Sequence, residues 1–121
     1  MTVLAVCGDL FFTARIGETG KRAGTAVEFA RHPSELSQKL GGSEYRLVLV
    51  DLTTSGWDYD ALFKTLETLE PRPPVLGFTT HALAKTTQPW HPRCDRVVTK
   101  ETLTQELSDL LMHGLTARSR G

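Results

Sequence analysis

The segment Tyr45–Leu52, which reads YRLVLVDL, constrains the chain most. Its four consecutive apolar residues, Leu47-Val48-Leu49-Val50, offer no polar face to water. A strand of that kind needs cover on both sides of its sheet. Cover on both sides means an α/β layer arrangement, so helical patterns should flank it. Thr2–Cys7 is an apolar run of strand length. Leu10 to about Arg22 reads as a helix, with Phe12 and Ile16 one turn apart, Asp9 as N-cap and Gly24 as its end. Thr25–Ala30 alternates as a short strand, and Pro33-Ser34 opens a helix through Leu40, closed by Gly41-Gly42. Asp58 or Asp60 caps a helix in which Leu62, Leu66 and Leu69 share one face, and Pro71-Arg72-Pro73-Pro74 stops it. Val75–Phe78 is a fourth strand. Ala82 to about Thr87 is a weak helical segment, limited by Pro89 and Pro92. Arg96–Thr99 is a fifth strand. Thr102–Leu115 is an amphipathic helix with Leu103, Leu107, Leu110, Leu111 and Leu115 inward, and Thr102 with Gln105 matches a capping box.

Five strands alternating with about five helices predict parallel strands joined by right-handed crossovers, with helices on both faces. In such folds the loops at the carboxyl ends of the strands build the site. The segments to inspect are therefore Cys7–Leu10, Asp51–Ser55, Thr79–His81 and Thr99–Thr102.

Composition excludes several functions. The length of 121 residues suits one domain, expected over residues 1–116, with a polar tail at 117–121. Lys plus Arg and Asp plus Glu each total 14, so the net charge is zero. That balance argues against a nucleic-acid binder and against a strongly charged membrane-surface domain. No apolar stretch approaches the ~20 residues that span a bilayer. The first residues lack the basic lead-in of a secretory leader, so a soluble, cytoplasmic protein is expected. Cys7 and Cys94 are too few for a disulfide framework, and the topology sends them to opposite rims as free thiols. The pair His91 and Cys94 has a ligand-like gap, but one pair does not make a metal site. There is no Gly-x-Ser-x-Gly elbow and no Walker loop. Gly17, Gly20 and Gly24 fall within or after a helix, so they make no dinucleotide fingerprint.

Asp9, Asp51, Thr79 and Lys100 lie on different segments that the alternating fold brings to one rim. A carboxylate, a hydroxyl and an ammonium together suit phosphoryl transfer onto the carboxylate, with Mg²⁺ neutralising charge. Each residue also has a plainer reading. Asp9 before Leu10-Phe11-Phe12 serves as an N-cap. Asp51 satisfies loop amides, Thr79 follows β-propensity, and Lys100 is a solvated charge. Cys7 is a small buried hydrophobe, His81 a solvated loop residue, and Trp57 either loop support or partner surface.

These residues carry a resemblance. Leu47-Val48-Leu49-Val50-Asp51, Pro74-Val75-Leu76-Gly77-Phe78-Thr79-Thr80 and Arg96-Val97-Val98-Thr99-Lys100 resemble the third, fourth and fifth strands of the CheY-like receiver domains of two-component response regulators. The resemblance covers about residues 2 to 115. It implies a flavodoxin-like, three-layer fold with strand order 2-1-3-4-5. It further implies Asp51 as phosphoacceptor, Thr79 as switch hydroxyl and Lys100 as phosphate-binding lysine. Asp9, Asp51 and the Thr53 carbonyl would be Mg²⁺ ligands. A histidine kinase or phosphotransfer protein would supply the phosphate. Output would pass to a downstream protein target, or through a homodimer formed by the face of helix four, strand five and helix five. Such a domain is not an enzyme in the turnover sense.

The departures point elsewhere. Receivers carry two adjacent acidic residues after strand one, where this chain has Cys7 and Gly8, and Asp9 falls one position late. Glu101 replaces the proline that usually follows the lysine, and Pro89 interrupts the fourth helix region. One carboxylate fewer weakens Mg²⁺ binding. The alternative expectation is therefore a pseudo-receiver, an interaction module independent of phosphorylation. A small flavodoxin-like enzyme or cofactor carrier is a further rival, opposed by the lack of a phosphate-cradling glycine loop.

Overall fold

The computed structural model describes residues 2–42 and 44–115. The expected tail at 117–121 lies outside them. The described elements are β1 (Thr2–Val6), α1 (Leu10–Ala23), β2 (Val27–Ala30), α2 (Pro33–Gly42), β3 (Tyr45–Asp51), α3 (Tyr59–Glu67), β4 (Val75–Thr79), a 3₁₀ helix (Gln88–Arg93), β5 (Arg96–Thr99) and α4 (Lys100–His113). All four strand pairings are parallel, and the sheet order is β2-β1-β3-β4-β5, as expected.

The sheet separates two apolar cores because side chains alternate along each strand. Val3, Ala5, Cys7, Leu47, Leu49, Leu76 and Phe78 meet Phe12 and Ile16 of α1 and the leucines of α4. Leu4, Val6, Val48, Val50 and Val75 meet Leu36 and Leu40 of α2 and Leu62, Phe63 and Leu66 of α3. The continuous apolar run of β3 thus feeds both cores. No helix among the described residues is long and apolar enough to cross a membrane.

The helix ends follow their local chemistry. Asp9 caps α1 through the amides of Phe11 and Phe12, and Gly24 closes it at φ 70°. Asp58, not Asp60, caps α3, and Leu69 falls beyond that helix. The strand at Thr25–Ala30 begins only at Val27, because Thr25 turns aside and donates its hydroxyl to the Leu111 carbonyl at 2.9 Å.

Two expectations are corrected. The last helix starts at Lys100, not Thr102: Thr99 ends β5 and also accepts the Thr102 amide, so the expected Thr102–Gln105 box lies inside the helix. No α-helix forms at Ala82–Thr87. That stretch is a series of turns leading into the 3₁₀ helix, which carries Pro89 near its start and Pro92 inside. Proline lacks an amide proton and forbids a regular α-helix here. The 3₁₀ helix that follows the turns is tied down by side chains. Arg93 reaches Asp60 at 2.8 Å and Glu67 at 3.1 Å, and its guanidinium lies over Phe63. Trp90 packs against Tyr59 and Phe63.

Candidate functional site

β1, β3 and β5 end at the same rim, and residues at or just past those ends build a small polar cluster under the loops. Cys7 is buried, and its thiol donates to Asp51 Oδ2 at 3.5 Å. Burial, with the nearby Asp51 charge adding to it, pushes the Cys7 thiol up to about 11. Asp51 is 2% exposed. Its Oδ1 accepts the Thr53 amide at 2.9 Å and the Thr53 hydroxyl at 2.6 Å. Its Oδ2 faces Cys7 and the Lys100 ammonium, the latter at 3.9 Å. The loop beyond is pinned by Tyr59, whose hydroxyl donates to the Asp51 carbonyl at 2.7 Å and accepts the Thr54 amide. Burial and the Asp51 charge raise the Tyr59 phenol far above its ordinary range.

Asp9 joins the cluster from the other side. Its Oδ1 accepts the amides of Phe11 at 2.9 Å and Phe12 at 3.2 Å, and its Oδ2 lies 3.4 Å from Lys100. The Phe12 amide first, and Lys100 second, hold its carboxyl below the ordinary range. Lys100 therefore sits between two carboxylates, with its ammonium 5.6 Å from the centre of the Phe12 ring. The structure brings together Asp9, Asp51, Thr53 and Lys100 from the expected set, and adds Cys7.

Thr79 is not part of this group. Leu76 and Phe78 face the core of α1 and α4, so alternation turns Thr79 to the other side of β4. Its buried hydroxyl lies 3.0 Å from that of Thr87, which is also 2.9 Å from His91 Nε2 and 3.2 Å from the Ala84 carbonyl. In the sequence His91 stands out only for its gap to Cys94, and Thr87 only as the end of a weak helical segment. Their four-residue spacing is a signal only once the segment is known to coil. His81 is exposed and outside both groups. Trp57 packs against the second core and lines a groove with Pro33, Leu36 and Ala61.

The donors fit a Mg²⁺ site poorly. Mg²⁺ takes one or two carboxylates and keeps several waters. Here the two carboxylates already share an ammonium, and one oxygen of each is engaged by backbone amides. Cys7 holds its proton and is no ligand for a hard cation. At Gly8, a Cβ would come within 2.9 Å of Thr54 Cγ2, so a side chain there has no free space. Among the described residues, no three His, Cys, Asp or Glu side chains are grouped to hold an ion.

No protein-family model and no curated protein matches the chain. Solved structures do. The chemotaxis response regulator CheY4 of Vibrio cholerae superposes with a TM-score of 0.76 at 20% identity, covering 94% of this chain and 98% of that one. A response regulator signal receiver domain from Bermanella marisrubri gives 0.74 at 24% identity, covering 89% and 92%. A response regulator from Burkholderia pseudomallei, solved with a phosphorylated aspartic acid, calcium ion and citrate, gives 0.72 at 17% identity, covering 98% and 70%. The chain is thus a doubly wound, flavodoxin-like α/β domain. Within that class its fold is that of the CheY-like receivers.

Proposed function

We propose that the chain is a receiver-fold signalling module that acts by protein–protein contact without taking phosphate onto Asp51. The observation that carries this reading is the state of the Asp51 carboxylate. Its side chain is 1% exposed, and both oxygens are engaged, by Thr53 on one side and by Cys7 and Lys100 on the other. An in-line attack on phosphorus needs a free oxygen, charge neutralisation and room for the entering group. Cys7 and Gly8, where acids would stand, supply none of these. The Thr79 hydroxyl is turned away and accepts from that of Thr87. The partner is a protein, the location is cytoplasmic, and no turnover chemistry is needed. A homodimer through the 3₁₀ helix, β5 and α4 is one form the contact takes.

A second reading has one observation in its favour: Asp51 and Lys100 keep their pairing at 3.9 Å. On that reading Asp51 receives phosphate from a histidine kinase or phosphotransfer protein and signals to a downstream target. Acetyl phosphate with excess Mg²⁺ separates the two. The expected result is an unchanged mass. An acid-stable, base-labile phosphoryl mass that disappears in Asp51→Asn overturns the proposal and restores the phosphoacceptor.

A further inference from the structure

We infer that Lys100 is the resident cation of this rim: its ammonium occupies the place between Asp9 and Asp51 that a divalent ion would need, and the rim is thereby held in one state. The inference rests on the phosphorylation-independent reading above and gives it a structural cause. Three features point the same way. Lys100 Nζ lies 3.4 Å from Asp9 Oδ2 and 3.9 Å from Asp51 Oδ2, so one ammonium serves both carboxylates. Lys100 begins α4, and its side chain is 27% exposed, with the ammonium held over the Phe12 ring. The remaining approach is lined by Cys7, whose Sγ lies 3.5 Å from Asp51 Oδ2, and by Gly8, where a side chain would meet Thr54.

The electrostatics make this arrangement self-sufficient. Two carboxylates facing one half-buried point repel each other and favour any cation placed between them. A tethered ammonium gives up rotamer freedom but no translational freedom, and this favours it over a dissolved ion that must be captured from water. Asp9 gains a second task from the pairing. It caps α1 through Oδ1 and ties that helix to the start of α4 through Oδ2, so α1, β3 and α4 meet at one charge.

The test uses Mn²⁺ alone, followed by loss of the free-ion paramagnetic signal and by the melting temperature. An ion that binds only the native state raises that temperature. Wild type is expected to leave the signal unchanged and its melting temperature flat through the millimolar range. Lys100→Met removes the ammonium from a partly exposed position and is expected to gain Mn²⁺ binding and Mn²⁺-dependent stabilisation. Lys100→Arg keeps the charge and is expected to stay indifferent, which separates charge from general disturbance of the rim. Adding Cys7→Asp to Lys100→Met supplies a third carboxylate and is expected to tighten binding at least tenfold. Binding by wild type overturns the inference, as does a folded Lys100→Met that ignores Mn²⁺. Wild type that binds Mn²⁺ yet resists acetyl phosphate defeats this inference alone. Wild type that is phosphorylated on Asp51 defeats the proposed function.

Discussion

Replacing Thr87 by valine tests whether the Thr79 hydroxyl is a structural tie. The substitution keeps the shape and removes the oxygen that contacts both Thr79 and His91. Thr79 and Thr87 are each 3% exposed, so water does not replace the lost partner at Thr79. Leaving one buried hydroxyl unpaired costs ~1–3 kcal/mol. His91 is half-buried and recovers its bond from solvent, which keeps the expected loss near ~2 kcal/mol. At about 4 °C per kcal/mol for a domain of this size, the melting temperature falls by about 8 °C. Urea unfolding read by tryptophan fluorescence is the assay, because Trp90 belongs to the same segment and packs against Phe63 and Tyr59. The decisive variant is the double one. In Thr79→Val/Thr87→Val both partners are apolar, so no buried hydroxyl is stranded, and a coupling of ~1 kcal/mol or more relative to the singles is expected. If the two single costs simply add, the hydroxyls do not depend on each other, and Thr79 is free to serve elsewhere.

Three further outcomes are expected. Gly77→Ala puts a Cβ 2.7 Å from Cys94 Sγ and 3.0 Å from Leu52 Cδ1, so overpacking costs ~1–3 kcal/mol; Cys94→Ala in the same chain relieves part of it, and additive urea midpoints would refute the clash. Both cysteines are free, and burial raises the thiols from an ordinary 9.0 to about 11 for Cys7 and about 12 for Cys94. Ellman's reagent at pH 8 should therefore react slowly with the native protein and rapidly with two thiols in urea. The sign in alkali follows: above pH 9 the unfolded chain releases protons that the folded chain keeps, so stability declines towards pH 11. Asp9→Ala removes the α1 cap and costs ~1 kcal/mol by urea unfolding, and faster amide exchange at Phe11 and Phe12 is the local sign of the lost cap.

What the sequence made legible follows from which interactions are local. β3 was readable because burial on both faces writes itself as four apolar residues in a row. The limits of α1 are readable because Asp9 accepts amides of the first turn and Gly24 donates its own amide to carbonyls of the last. The start of α4 was misplaced because Thr99 performs two tasks, ending β5 and capping the helix, while Thr102 and Gln105 happen to carry the spacing of a capping box. The connection from β4 to β5 was the least legible part. Its shape depends on Arg93 meeting Asp60, 33 residues away, and on Trp90 meeting Phe63. The site divided in the same manner. Asp51 ends β3 and Lys100 directly follows β5 at the same rim of a parallel sheet, so topology brings them near even with β4 between the two strands. The diversion of Thr79 to Thr87 rests on two hydroxyls, which leave no periodic trace.

The alternation along β1 and β3 has a consequence for how the molecule comes apart. Val3, Ala5 and Cys7 belong to one core, and Leu4 and Val6 to the other; Leu47 and Leu49 oppose Val48 and Val50 in the same manner. Neither apolar layer can be flooded without displacing a strand that the opposite layer also holds. The two layers therefore melt as one cooperative unit. The amides of β1 and β3 exchange with solvent only when the whole domain opens, while the largely exposed turns at 81–86 exchange through local fluctuations of far lower cost. A partner that engages the rim of this sheet meets a rigid platform flanked by one segment that can yield.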